Sequence, residues 1–137
     1  MDYKKQKKAA KEFADQWKGK GYEKGEAQVF WTELLRNVFD VKYASSLINF
    51  EEHTSGGGFI DGFIRDPGII IEQKGSNIDL DKPETRQGTE VTPFEQALRY
   101  AESFKQSQQP RFIITCNFGI FRVYDLSLIH ISEPTRQ

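Results

Sequence analysis

The segment FIDGFIRDPGIIIEQK, residues 59–74, constrains the fold more than any other stretch of the chain. Two apolar runs flank DPG at 66–68, where Asp opens a turn, Pro presets φ and Gly accepts positive φ. The segment predicts two strands folded back on each other, FIDGFIR (59–65) and IIIEQK (69–74). Ile69, Ile70 and Ile71 leave neither face of the second strand polar, so it is expected in the middle of a sheet covered on both sides. Asp61, Glu72 and Lys74 then need an explanation, because charged side chains are seldom buried without a partner or a metal. One reading is a salt bridge at the rim. The other is a site.

Strand parity favours a site. Glu72 and Lys74 are separated by one residue and project from one face with Ile70, while Ile69, Ile71 and Gln73 project from the other. Antiparallel pairing about the turn brings Asp61 toward the Glu72–Lys74 end of the hairpin. Two carboxylates can hold Mg²⁺ while leaving room in its shell for water and phosphate oxygens, and the Gln73 backbone carbonyl is a natural further ligand. Such a metal lowers the pKa of bound water and offsets charge growing on phosphorus. Lys74 can orient the attacking water and steady the transition state. Asp61, Glu72 and Lys74 are thus the candidate catalytic residues, with Asp61, Glu72 and Gln73 as candidate metal ligands, for phosphodiester hydrolysis.

The rest of the chain predicts a frame for this hairpin. Ala9, Ala10, Phe13, Ala14 and Trp17 lie at helical spacing over residues 3–18, and GKG at 19–21 stops that helix. A second helix is expected over about 26–39, with Ala27, Phe30, Trp31, Leu34, Leu35 and Val38 as its apolar stripe. SLINFEE (46–52) reads as a strand and TSGGG (54–58) as a loop. Residues 75–91 read as a polar connection without periodicity, a length that often carries function. Thr92, Pro93 and Glu95 give a helix start with a capping box, and Ala97, Leu98, Ala101 and Phe104 supply that helix's apolar side. RFIITC and IFRVYD, joined through NFG, predict a closing pair of strands. The expected order is α-α-β-β-β-α-β-β, an α/β (α+β) fold with a mixed central sheet flanked by helices.

Composition narrows the function classes. A net charge of −1 gives no global basic signal, so nucleic-acid contact would come from local patches such as YKKQKKAAK, for which a solvated helix face is the default reading. The single cysteine, Cys116, excludes an intrachain disulfide and a cysteine-rich zinc site, and its apolar neighbours mark a core position. No apolar run approaches the roughly 20 residues of a membrane helix, so the expectation is a cytoplasmic protein with no membrane partner.

Asp61, ten intervening residues and then EQK fit the PD-(D/E)XK nuclease pattern, with Ile60 and Asp61 where that family often has Pro and Asp. A longer match covers about residues 24–125. GEAQVFWTELLRNVFDV, FIDGFI, IIIEQKGSNIDLDKPE, TPFEQALRYAESF and PRFIITCNFGIFRVYD together resemble the amino-terminal nuclease region of MmeI-like restriction–modification enzymes. The resemblance implies an Mg²⁺-dependent endonuclease acting on double-stranded DNA. It also implies a parent polypeptide carrying, in cis, a helical spacer, an adenine-specific DNA methyltransferase that uses S-adenosylmethionine, and a target-recognition domain. No S-adenosylmethionine motif is visible in these residues. The resemblance further implies a glutamate from the second helix, Glu26 or its rival Glu33, and a Q-x-x-x-Y pair, Gln96 and Tyr100, as supporting site residues. Lys82, Arg86, Arg99, Arg111 and Arg122 are candidate phosphate contacts, each with solvated charge as the default. Gly56–Gly58 read as a loop beside the scissile strand.

The last residues, LSLIHISEPTRQ, break this pattern and resemble a translated sequencing-library adapter from Leu126 to Arg136. The expectation is a nuclease domain over 1–125 and a non-native tail over 126–137, in which His130 carries no functional weight. The alternative is a genuine strand and tail. For function, the alternative to a nuclease is a DNA-binding module of a DNA methyltransferase without nuclease activity of its own. Intact Asp61, Glu72 and Lys74 argue against it.

Overall fold

The computed structural model describes residues 1–20, 23–53, 59–86 and 88–132. The lysine-rich start forms α1 (Tyr3–Trp17), capped by the Asp2 carboxylate, which accepts the Lys5 N–H at 2.8 Å. Its end falls at Lys18, and Gly19 takes the left-handed φ of +77° that glycine tolerates best. The second helix begins as α2 (Glu23–Glu33) and finishes as a π-helical turn over Leu34–Val38. Phe30, Trp31, Leu34, Leu35 and Val38 are all buried, as the apolar stripe predicts.

Five strands form the main sheet: β1 (Ile48–His53), β2 (Phe59–Ile64), β3 (Ile69–Gln73), β6 (Phe112–Cys116) and β7 (Phe121–Asp125), in the order β1-β2-β3-β6-β7. The β3–β6 pair is parallel and the other pairs are antiparallel, so the sheet is mixed. The parallel step requires a crossover, supplied by α4 (Pro93–Glu102). The α4 start carries the expected capping box: Glu95 N–H donates to Thr92 Oγ1 at 3.1 Å, and Thr92 N–H donates to Glu95 Oε1 at 2.9 Å.

The central position of β3 follows from its isoleucines. Ile71 joins Phe13, Trp17, Phe30 and Trp31 in a core under α1 and α2. Ile70 faces the opposite way, joining Phe63, Ala97, Ala101 and Ile113 in a second core under α4. The hairpin turn is fixed by its glycine. Gly68 sits at φ +104°, and its carbonyl accepts the N–H groups of Arg111 and Phe112 at 2.8 and 3.0 Å. The turn thereby also sets where β6 begins.

Three elements depart from the expected order. Ser46 and Leu47, read as strand, end a short helical turn, α3 (Ala44–Leu47), so β1 starts at Ile48. The connection over 75–91 is not structureless: it contains a small antiparallel hairpin, β4 (Glu84–Arg86) and β5 (Thr89–Val91). Strands of three residues are too short to display an alternating pattern, which is why the sequence hid them. After β7 the chain turns into α5 (Leu126–Ser132), whose Leu126 is buried in the second core with Ile129 packed against it. Residues 133–137 and the TSGGG loop lie outside the described residues. Among the described residues, no helix is long and apolar enough to cross a membrane.

Candidate active site

The site lies where the β2–β3 ladder stops. Backbone pairing runs Ile64↔Ile69, Phe63↔Ile70 and Gly62↔Ile71 and goes no further. At the next step the side chain of Asp61 replaces the ladder: its Oδ2 accepts the Gln73 backbone N–H at 2.8 Å. The N–H and C=O of one strand residue point to the same side, so the Gln73 carbonyl faces the gap that Asp61 enters. Hairpin geometry has thus brought Asp61 to the EQK segment, as antiparallel pairing about the turn predicted.

Glu72 and Lys74 are nearly inaccessible, 2% and 3% exposed, which removes the reading of a salt bridge at the rim. The Lys74 ammonium lies 3.4 Å from Glu72 Oε2 and 3.1 Å from Glu84 Oε1, and it donates to Gln96 Oε1 at 3.2 Å. Gln96 Nε2 in turn donates to the Tyr100 hydroxyl at 3.2 Å. Glu72, Lys74, Gln96 and Tyr100 therefore form one connected group between β3 and α4. Their i, i+4 spacing places Gln96 and Tyr100 on one helix face, and the α4 crossover lays that face against Lys74.

Gln73 anchors the site from below. Its side chain faces α2, where Trp31 Nε1–H donates to Gln73 Oε1 at 2.6 Å, and its own Nε2–H donates to the Lys74 carbonyl at 3.0 Å. The Lys74 N–H donates to the Cys116 carbonyl at 2.7 Å, fixing the strand end to β6. Burial pushes the Cys116 thiol up to about 12. It is therefore kept as the unreactive thiol, and a thiolate-selective reagent at pH 8 is expected to leave native protein unlabelled while denatured protein reacts fully. Fast labelling of the native form, followed by mass spectrometry, would contradict this packing.

Thr115 supplies a different kind of observation. It pairs with Glu72 across the parallel β3–β6 ladder and shares its face, and it is fully buried. Its Oγ1 is without a hydrogen-bond partner among the described residues. An orphaned buried hydroxyl costs about 1–3 kcal/mol, and such atoms commonly mark a place where water or a ligand completes the site. Hard oxygen donors from Asp61, Glu72 and the Gln73 carbonyl, with this unsatisfied hydroxyl alongside, suit a small divalent cation with bound water. Among the described residues, no three His, Cys, Asp or Glu side chains group together as a metal cluster, so protein carboxylates would fill only part of such a shell.

The other expected residues divide. Glu33 is engaged elsewhere: its Oε2 accepts Trp17 Nε1–H at 3.2 Å and Gln16 Nε2–H at 3.5 Å, so it fastens α1 to α2. Glu26 lies half-buried near the start of α2. Arg122 forms a two-point ion pair with Asp81 at 3.0 and 3.3 Å, and its guanidinium holds the Asp81 carboxyl below the usual range. Arg111 lies 3.7 Å from Asp125. Lys82 and Arg99 are exposed, and the Arg86 side chain and Gly56–Gly58 fall outside the described residues. Sequence reasoning missed Glu84 and Thr115. Glu84 stands in the unpatterned connection, and Thr115 reads as an ordinary strand residue until the register sets it beside Glu72.

A mixed sheet whose central strand buries an acid and a lysine against a crossover helix defines an α/β domain with a polar cluster in its core. The model of the family described as MmeI, N-terminal domain, matches residues 8–135. The chain belongs to that family, which places it among MmeI-like restriction–modification proteins. No curated protein and no solved structure matches it.

Proposed function

We propose that this domain is an Mg²⁺-dependent DNA endonuclease of the PD-(D/E)XK type, the amino-terminal part of a restriction endonuclease that also carries an adenine-specific DNA methyltransferase. The observation that carries the reading is the burial of Glu72 and Lys74 on one face of β3, with the Asp61 carboxylate drawn onto the Gln73 N–H. Burying an acid and an amine at the end of a sheet is costly for the fold. Chemistry at that point accounts for its retention.

In this reading Asp61, Glu72 and the Gln73 carbonyl hold the cation, and Glu26 is a further proposed contributor from α2. The cation, when bound, supplies a more acidic water and offsets charge on the phosphate. Lys74 then hydrogen-bonds a phosphate oxygen as negative charge gathers there. The water oxygen bonds to phosphorus, the phosphorus–oxygen ester bond breaks, and one water proton ends on the leaving oxygen. Gln96, backed by Tyr100, fixes the position of the Lys74 ammonium. Double-stranded DNA is the partner, and S-adenosylmethionine belongs to the methyltransferase portion alone.

The test uses plasmid DNA and Mg²⁺ with the full-length polypeptide carrying this domain. Asp61→Asn is expected to lower cleavage by on the order of 10²-fold or more, since the neutral amide is a poor cation ligand. Equal cutting by both forms, or no cutting by the wild type with Mg²⁺ or Mn²⁺, overturns the reading. In the second case the domain is a DNA-binding module only.

A further inference from the structure

An ammonium has three N–H donors. The Lys74 ammonium donates to Gln96 Oε1 at 3.2 Å and is ion-paired with Glu84 Oε1 at 3.1 Å and Glu72 Oε2 at 3.4 Å, three oxygens around three donors. A phosphate oxygen or an attacking water can reach Lys74 only if one of these partners leaves. The three are not equally free to do so. Glu72 is 2% exposed, and moving it would strand a buried carboxylate. Gln96 is held from behind by Tyr100 on the same helix. Glu84 is 36% exposed, and its head group can turn into water at little cost.

The strand that bears Glu84 is itself well placed. The 75–83 segment is pinned by the buried Leu80, by the Asn117 Nδ2–H bond to the Ile78 carbonyl at 2.8 Å, and by the Arg122–Asp81 pair. Val91 on β5 is buried next to the start of α4. The hairpin therefore presents Glu84 to Lys74 from a fixed base, and only the side chain has to move.

We infer that Glu84 is a displaceable gate on Lys74: its carboxylate occupies the place of a DNA phosphate oxygen and is exchanged for it when substrate binds. The inference rests on the nuclease reading and names a residue that regulates that same site. Exchange of one anion for another also explains why a carboxylate stands where an incoming polyanion would be repelled. It keeps the buried ammonium paired in the absence of DNA.

The experiment measures binding of a short duplex to the whole chain in Ca²⁺, for Glu84→Ala, Glu84→Gln and Glu90→Ala. Glu90 is an exposed acid on β5, opposite Thr85 of the same hairpin, and reports the general effect of removing charge there. Glu84→Ala is expected to tighten binding about five-fold or more, Glu84→Gln less because its amide oxygen still accepts from Lys74, and Glu90→Ala less than about two-fold. In a Lys74→Met background the Glu84→Ala gain is expected to vanish. Weaker or unchanged binding in Glu84→Ala, a gain that survives Lys74→Met, or no measurable binding by any form overturns the gate. Failure of the gate alone leaves Asp61→Asn still defective in cleavage, whereas failure of the nuclease reading shows as equal cutting there.

Discussion

Lys74→Ala is expected to lose cleavage by on the order of 10²–10³-fold, because the proposed mechanism uses its ammonium as the donor to charge developing on phosphate. The same substitution is expected to cost about 3–5 kcal/mol of stability, since it leaves Glu72 buried without its cation. That second effect separates this site from an ordinary surface pair, whose loss changes stability by about 1 kcal/mol or less. Denaturant titration measures the one and plasmid cleavage the other. Replacing both Glu72 and Lys74 by methionine is expected to recover much of the stability while cleavage stays lost, because an apolar pair of similar volume needs no desolvation. A double variant no more stable than Lys74→Ala would mean that the pair is held for the fold.

The second large effect lies on the other face of the sheet. Phe30 is wholly buried, and its ring centroid lies 5.0 Å from Phe13, 5.2 Å from Trp17, 5.8 Å from Trp31, 5.0 Å from Phe118 and 5.9 Å from Phe121. It joins α1, α2 and the β6–β7 turn into one aromatic cluster, with edge-to-face contacts to Trp17, Trp31 and Phe118. Phe30→Ala is expected to destabilise by about 3–5 kcal/mol through lost burial and the cavity left behind. Small domains hold only about 5–15 kcal/mol in total, so this is a large fraction of the stability. The denaturation midpoint reads it directly, and a shift corresponding to less than about 1 kcal/mol would show that the cluster collapses around the gap. The loss should also reach the site, because Trp31, the neighbour of Phe30, holds the Gln73 side chain.

Much of this arrangement was legible in the chain. The α2 stripe, the capping box at Thr92 and the DPG turn each depend on neighbours within a few residues, so local chemistry decides them. The shared face of Glu72 and Lys74 follows from strand period alone. The approach of Asp61 follows from the tight turn between the two strands.

Other features required the assembled molecule. Nothing in residues 75–91 announces a hairpin, and nothing local marks Glu84 among the acids there. It meets Lys74 only because Leu80, Asn117 and Arg122 pin the intervening chain. In the NFG turn it is Phe118 that adopts the left-handed φ of +74°, its ring packed against Trp17 and Phe30. Glu33 was the rival to the preferred Glu26 on the same helix flank, and the Trp17 indole N–H from another helix engages it instead.

By itself the sequence determined which charged residues meet at one end of the β2–β3 hairpin, because period and turn geometry assign side chains to faces over short distances. Tertiary structure alone decided how that cluster is held. Parallel pairing of β3 with β6 sets Thr115 beside Glu72, the α4 crossover lays Gln96 on Lys74, and the small hairpin closes the group with Glu84. These contacts join residues far apart in the chain. Their energy comes from burial, and burial exists only once the layers have packed.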